Sequence, residues 1–364
     1  MNTILELAFV ALVGAVVLVT LTIIGVRALR LGLDRRRDRL AAAPRRTLLT
    51  YLADGGPADG LQELLDIPGP AWRAVEPTAA AMLAKLRGET RDALATVFER
   101  RGIGHRALAD LDRHDPVRRA GAAEILGSLR RRDAVLALCA RLSDRDPEVR
   151  LVAIRALGHI GDPAATGPLL ATLATTDPAP VHLVADALEK LDSGADAALL
   201  DALTHPEARV RATVLDTLRL RGTTGAEALV ITALYGDESD EVRRRAAAVL
   251  GRTGGRAALD PLLRAANLDP STAVRSAAAR ALGDLGQRAA VPGLVGLLED
   301  RRHRVAHEAA GALTRLGEPG LGALREVAAA HHPAGAPGTG TAHAKEALAA
   351  TSLGAALAAG GVAR

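Results

Sequence analysis

His307 and Glu308 stand side by side, and an imidazole next to a carboxylate is the ligand pair that zinc or iron takes. One such pair supplies at most two ligands, short of a complete centre. By spacing along the chain, His182, His303, His331 and His332 complete no such set. The lone cysteine, Cys139, cannot form an intramolecular disulfide, which fits a reducing compartment, and its place between Leu138 and Leu142 makes it a core thiol. Ser128, Ser143, Ser193, Ser239, Ser271 and Ser276 lack the Gly-x-Ser-x-Gly context of an activated nucleophile. The stretch Gly251-Arg252-Thr253-Gly254-Gly255 lacks the lysine of a phosphate loop. The expectation is a chain with no catalytic residues, no cofactor and no metal: not an enzyme.

The elements that carry these residues repeat. Leu126, Leu157, Leu188, Leu218, Leu250, Leu282 and Leu313 recur at intervals of 31, 31, 30, 32, 32 and 31 residues. A period held that closely means stacked units rather than one globular core. Around Leu157, the residues Val149, Ala153 and Ala156 fall on one face of a helix. Asp144 or Asp146 caps that helix, Pro147 sits in its first turn, and Gly158 and Gly161 end it before Asp162-Pro163 turns the chain. Leu169, Leu170 and Leu173 form the apolar face of the partner helix. Only five aromatics occur, so the helices must pack through small and aliphatic side chains.

The run Asp146-Pro147-Glu148-Val149-Arg150, followed by Ala156-Leu157-Gly158, resembles the short HEAT-like repeat of the bilin-lyase type, a relative of HEAT and armadillo repeats. Glu241-Val242-Arg243 with Val249-Leu250-Gly251, and Val274-Arg275 with Ala281-Leu282-Gly283, repeat the pattern. The resemblance covers residues 104–332 and implies an all-α fold, a right-handed α-solenoid of about seven or eight helical hairpins. It further implies a ladder from an aspartate six residues before each arginine: Asp144 with Arg150, Asp237 with Arg243, Asp269 with Arg275. Asp300 meets Ala306 instead, and His205 stands before Arg211. The family's Val-Arg helix lines the concave side, which makes Glu124, Leu151, Arg155, His182, Asp186, Asp216, Arg244, Arg280 and His307 the expected partner-binding strip. Its alternating signs suit a folded protein or peptide. Deoxyhypusine hydroxylases build a di-iron centre on this repeat type from several His-Glu pairs, and bilin lyases attach tetrapyrroles; one His-Glu pair and five aromatics argue against both here.

Residues 7–26 form twenty uncharged residues, long enough at 1.5 Å per residue to cross the hydrocarbon core of a bilayer. No basic residue precedes them, unlike a cleaved signal peptide. Arg27, Arg30, Arg35, Arg36, Arg37 and Arg39 follow, in a segment 27–46 of net charge +6. The positive-inside rule then puts residues 1–6 outside, and everything from Arg27 onward in the cytoplasm, on a single-pass inner-membrane anchor. The same arginines can hold anionic headgroups. From residue 47 onward the net charge is −1, which excludes the basic footprint of a nucleic-acid binder. A membrane-proximal helical cap is expected at 47–103, a linker at 333–341 and a capping helix and tail at 342–364. The function these features imply is a membrane-anchored scaffold that binds a protein partner. The alternative is a non-catalytic accessory or regulatory subunit of a membrane enzyme or transporter.

Overall fold

A computed structural model describes residues 20, 27, 39–223, 225–330 and 339–361, with side chains left undescribed at 58 and 354–361. Among these residues every regular element is a helix and no strand occurs. The apolar run 7–26 lies outside the described residues except for Thr20, as do Arg30, Arg35, Arg36 and Arg37; Arg27 and Arg39 lie within them. Among the described residues, no helix is long and apolar enough to cross a membrane.

The chain divides into two compact units, one up to Leu129 and one from Arg130. The first holds α1 (39–53), α2 (Ala58–Asp66), α3 (Gly69–Leu83), α4 (Gly88–Arg100), α5 (Ile103–Asp110) and α6 (Pro116–Leu129). This unit holds both the segment 47–103 and the first marker leucine, Leu126. Its core gathers three of the five aromatics: Trp72 meets Phe98 edge-on at 6.1 Å, and Tyr51 is buried beside Leu48 and Leu64. Arg101, just past α4, covers the Trp72 ring at 4.4 Å and donates to the Leu64 and Ile67 carbonyls at 2.6 and 2.8 Å. One guanidinium thus satisfies the open carboxyl end of α2 while its flat face packs on the indole.

The second unit alternates longer and mostly shorter helices. The longer layer is α8 (Pro147–Ile160), α10 (Val181–Glu189), α12 (Ala208–Arg221), α14 (Asp240–Thr253), α16 (Thr272–Leu285) and α18 (His303–Arg315). The other layer is α7 (Val135–Arg141), α9 (Thr166–Ala171), α11 (Asp196–Asp201), α13 (Glu227–Gly236), α15 (Leu259–Leu268), α17 (Val291–Leu297) and α19 (Glu318–Ala329). A last helix, α20 (Thr339–Gly361), begins inside the segment expected to be a linker and packs on α18 and α19.

All seven marker leucines are buried, none more than 1% exposed, so the period does mark the core. Asp146 is the residue that caps α8, accepting from the Glu148 and Val149 amides, while Asp144 accepts from the Asp146 amide and holds the preceding turn. Gly161 ends α8 in the left-handed conformation at φ 80°. Gly158 does not end it, contrary to the expectation from sequence. It lies inside the helix, where a Cβ would sit 2.7 Å from the Ala187 Cα of α10. Gly251 against Ala281 and Gly283 against Ala312 repeat that approach at 2.7 Å. The glycine of the Ala-Leu-Gly motif therefore lets neighbouring long helices touch backbone to backbone.

Candidate partner-binding surface

The ladder residues are where the stack is bolted together. Arg211 donates through Nε and Nη2 to both Asp237 carboxylate oxygens, at 2.6 and 2.7 Å, and through Nη1 to the His205 carbonyl at 2.7 Å. Arg243 does the same to Asp269 (2.8 and 3.1 Å) and the Asp237 carbonyl (2.9 Å), and Arg275 to Asp300 and the Asp269 carbonyl. Arg150 reaches Asp177 at 2.6 Å and the Asp144 carbonyl at 3.0 Å. Each arginine thus meets the side chain of the next repeat's aspartate, 25–27 residues on, and the backbone carbonyl of the residue six positions back, an aspartate in three cases and His205 for Arg211. Asp237, Asp269 and Asp300 also accept the amides of Ser239, Ser271 and Arg302 in their own turns. Burial pushes the Asp237 carboxyl up, but its bonds to Arg211 and the Ser239 amide, with Arg211 and Arg243 nearby, bring it below the ordinary aspartate range.

One joint lacks both partners at once: Val181 stands where the arginine belongs and His205 where the next aspartate belongs. Arg221 at the end of α12 takes over from the other side. It pairs with Asp196 at 2.7 Å and donates to the Leu191 carbonyl at 2.6 Å and the Glu189 carbonyl at 3.1 Å.

The expected partner strip lies on the long helices, and most of its charges are already matched by neighbours. Arg155 pairs with Glu148 at 3.3 Å, Asp186 with Lys190 at 2.7 Å, Asp216 with Arg245 at 3.2 Å, and Arg244 with Glu241 at 2.8 Å. Arg280 holds Glu308 of the next long helix, its Nε at 3.0 Å from Oε2. The carboxylate of the His307-Glu308 pair is therefore engaged by a guanidinium, and Glu308 lies below the usual carboxylate range chiefly because of that bond. Glu124 on α6, in the first unit, is exposed, as are His182 and His307; Leu151 is half-buried. Cys139 has its thiol pushed up by burial and then by Asp162, which keeps it protonated and unreactive.

Leu151 lies in the wall of a groove of about 620 Å³ between α8, α9 and the loop leading to α10. Ile154, Leu142, Cys139 and Pro168 line its floor and sides, and Asp177-Pro178-Ala179-Pro180 forms one lip. Pro180 stands where most repeats place a valine eight residues before the marker leucine. The signal was there in two prolines within four residues, which favour an extended loop over a helix.

No curated protein matches this sequence. Among solved structures, human deoxyhypusine hydroxylase in complex with glycerol is 20% identical, the match covering 66% of this chain and 95% of that one at a TM-score of 0.30. The complex of CpcE and CpcF of phycocyanin lyase from Nostoc sp. PCC7120 is 22% identical over 65% of this chain and 93% of that one, at 0.27. Kap121p bound to Pho4p is 14% identical over 85% of this chain and 39% of that one, at 0.48. The sequence pattern of HEAT repeats matches residues 106–189, 197–276 and 265–334, about three fifths of the chain. With that pattern running through it and arginine–aspartate pairs joining its repeats, this chain belongs to the HEAT-repeat family.

Proposed function

We propose that this protein is a non-catalytic scaffold, held at the cytoplasmic face of an inner membrane by residues 7–26, whose repeats hold a protein partner. The observation that carries the reading is the groove beside Leu151. It is lined mainly by apolar side chains, opens on the long-helix layer and is flanked by the Arg150–Asp177 and Arg155–Glu148 pairs. Such a site suits an extended peptide segment with an apolar residue at its centre and polar groups on either side. The matched charges along the strip favour a neutral polar partner surface over a polyanion. The membrane reading rests on the length of the uncharged run and the arginines after it.

A photo-crosslinking residue at position 151 tests the groove. The expected result is one crosslinked protein, absent when the probe stands at the exposed Arg252. Equal capture from both positions would overturn the groove as the binding site. Repeating the capture with residues 47–364 separates the two partner readings: loss with the anchor favours an accessory subunit, and retention favours the scaffold.

A further inference from the structure

We propose that His303, His343 and Glu346 form a binding site for a divalent transition cation of the zinc class, which fastens α20 onto α18. One ligand atom from each of these side chains lies within 4.8 Å of the others. His343 and Glu346 stand three residues apart on α20 and so share a face, and His303 opens α18. The His303 and His343 rings meet at 4.7 Å, and His307, one turn along, stacks on His303 at 5.9 Å.

His343 is the reason to read a ligand here rather than a surface cluster. The residue is only 7% exposed, yet its Nδ1 has no hydrogen-bond partner. The nearest carboxylate oxygen, on Glu346, is 3.8 Å away, too far for a hydrogen bond. A buried imidazole nitrogen left unpaired is costly, and a cation at this point would satisfy it.

Geometry allows closure. Ligand atoms around a tetrahedral zinc lie about 3.3 Å apart, given bond lengths near 2.0–2.2 Å. His303 and Glu346 are exposed and free to rotate that far, while His343 is held in place. The hold comes from Glu299, which accepts from the Gly340 amide at 3.0 Å and the Thr339 hydroxyl at 2.9 Å and so anchors the first turn of α20. His307, which lines the adjoining cleft of about 450 Å³, or a water completes the coordination. Imidazole and carboxylate ligands favour zinc over calcium or magnesium. The site is distinct from the His307-Glu308 pair, whose carboxylate is committed to Arg280.

The test uses the untagged full-length chain in detergent, stripped with a chelator and titrated with zinc chloride. Equilibrium dialysis with elemental analysis should find one zinc per chain, and zinc should raise the thermal midpoint because it bridges two native helices. His303→Ala and Glu346→Gln, both at exposed positions, should weaken zinc at least about tenfold while circular dichroism is unchanged. His343→Ala should abolish binding, and His182→Ala should leave it intact. Less than stoichiometric zinc, or equal zinc affinity in the wild type and in both exposed-ligand variants, would overturn the site. Because no partner enters this experiment, its outcome is separate from that of the scaffold reading.

Discussion

At the scale of single residues, Asp237, like Asp269 one repeat on, does three tasks at once, which makes it sensitive to substitution. It pairs with Arg211, accepts the Ser239 amide, and lends its carbonyl to Arg243. Asp237→Asn keeps the shape but removes the charge, leaving a half-buried guanidinium without its anion. We expect a loss of about 2–3 kcal/mol, measured by urea unfolding at neutral pH. The pH dependence follows from the lowered Asp237 value. A carboxyl held below its unfolded value of about 3.9 contributes its full stability above that value and loses it as pH falls through the lower, folded one. The gap between wild type and Asp237→Asn should therefore be constant above about pH 5 and close in stronger acid. A gap that instead widens with acid would show that Asp237 is not the paired group.

At the scale of helices, close backbone approach is what the long layer relies on. Leu250, 1% exposed, fills the core beside the last turn of α14, and the adjacent Gly251 lets α16 come to contact. Leu250→Ala should cost about 2–5 kcal/mol through lost burial and the cavity left behind. Gly251→Ala tests the opposite fault: its Cβ would lie 2.7 Å from the Ala281 Cα, so α14 and α16 must separate, at about 1–3 kcal/mol. Since repeats couple through their neighbours, hydrogen exchange should quicken in α12, α14 and α16 in both variants and stay unchanged in α2 to α4. Uniform quickening throughout the chain would contradict that local coupling.

At the scale of the molecule, the strip along the long helices carries mostly matched charges, and the proposed anchor sets the compartment that the repeats would face. A reporter enzyme fused after Arg364 is expected to be active only in the cytoplasm. Neutral replacements at Arg35, Arg36, Arg37 and Arg39 should weaken that preference, because those charges flank the uncharged run on one side. Activity of the unaltered fusion on the far side of the membrane would reverse the orientation.

Much of this was legible in the residues alone. The 30–32 residue period of buried leucines and a cap at Asp144 or Asp146 follow from helical periodicity and local capping, which depend on neighbours a few positions away, and the family resemblance added the arginine and aspartate columns. What only the tertiary structure decided are relations between turns of different helices. The pairing of each arginine with the next repeat's aspartate is set by how far one hairpin is displaced from the last, not by the six-residue spacing within a repeat. The groove exists because the Asp177-Pro178-Ala179-Pro180 segment, α7, α8 and α9 meet around it. His303 and His343 are forty residues apart, and they meet because α20 folds back on α18, a contact that no local pattern encodes.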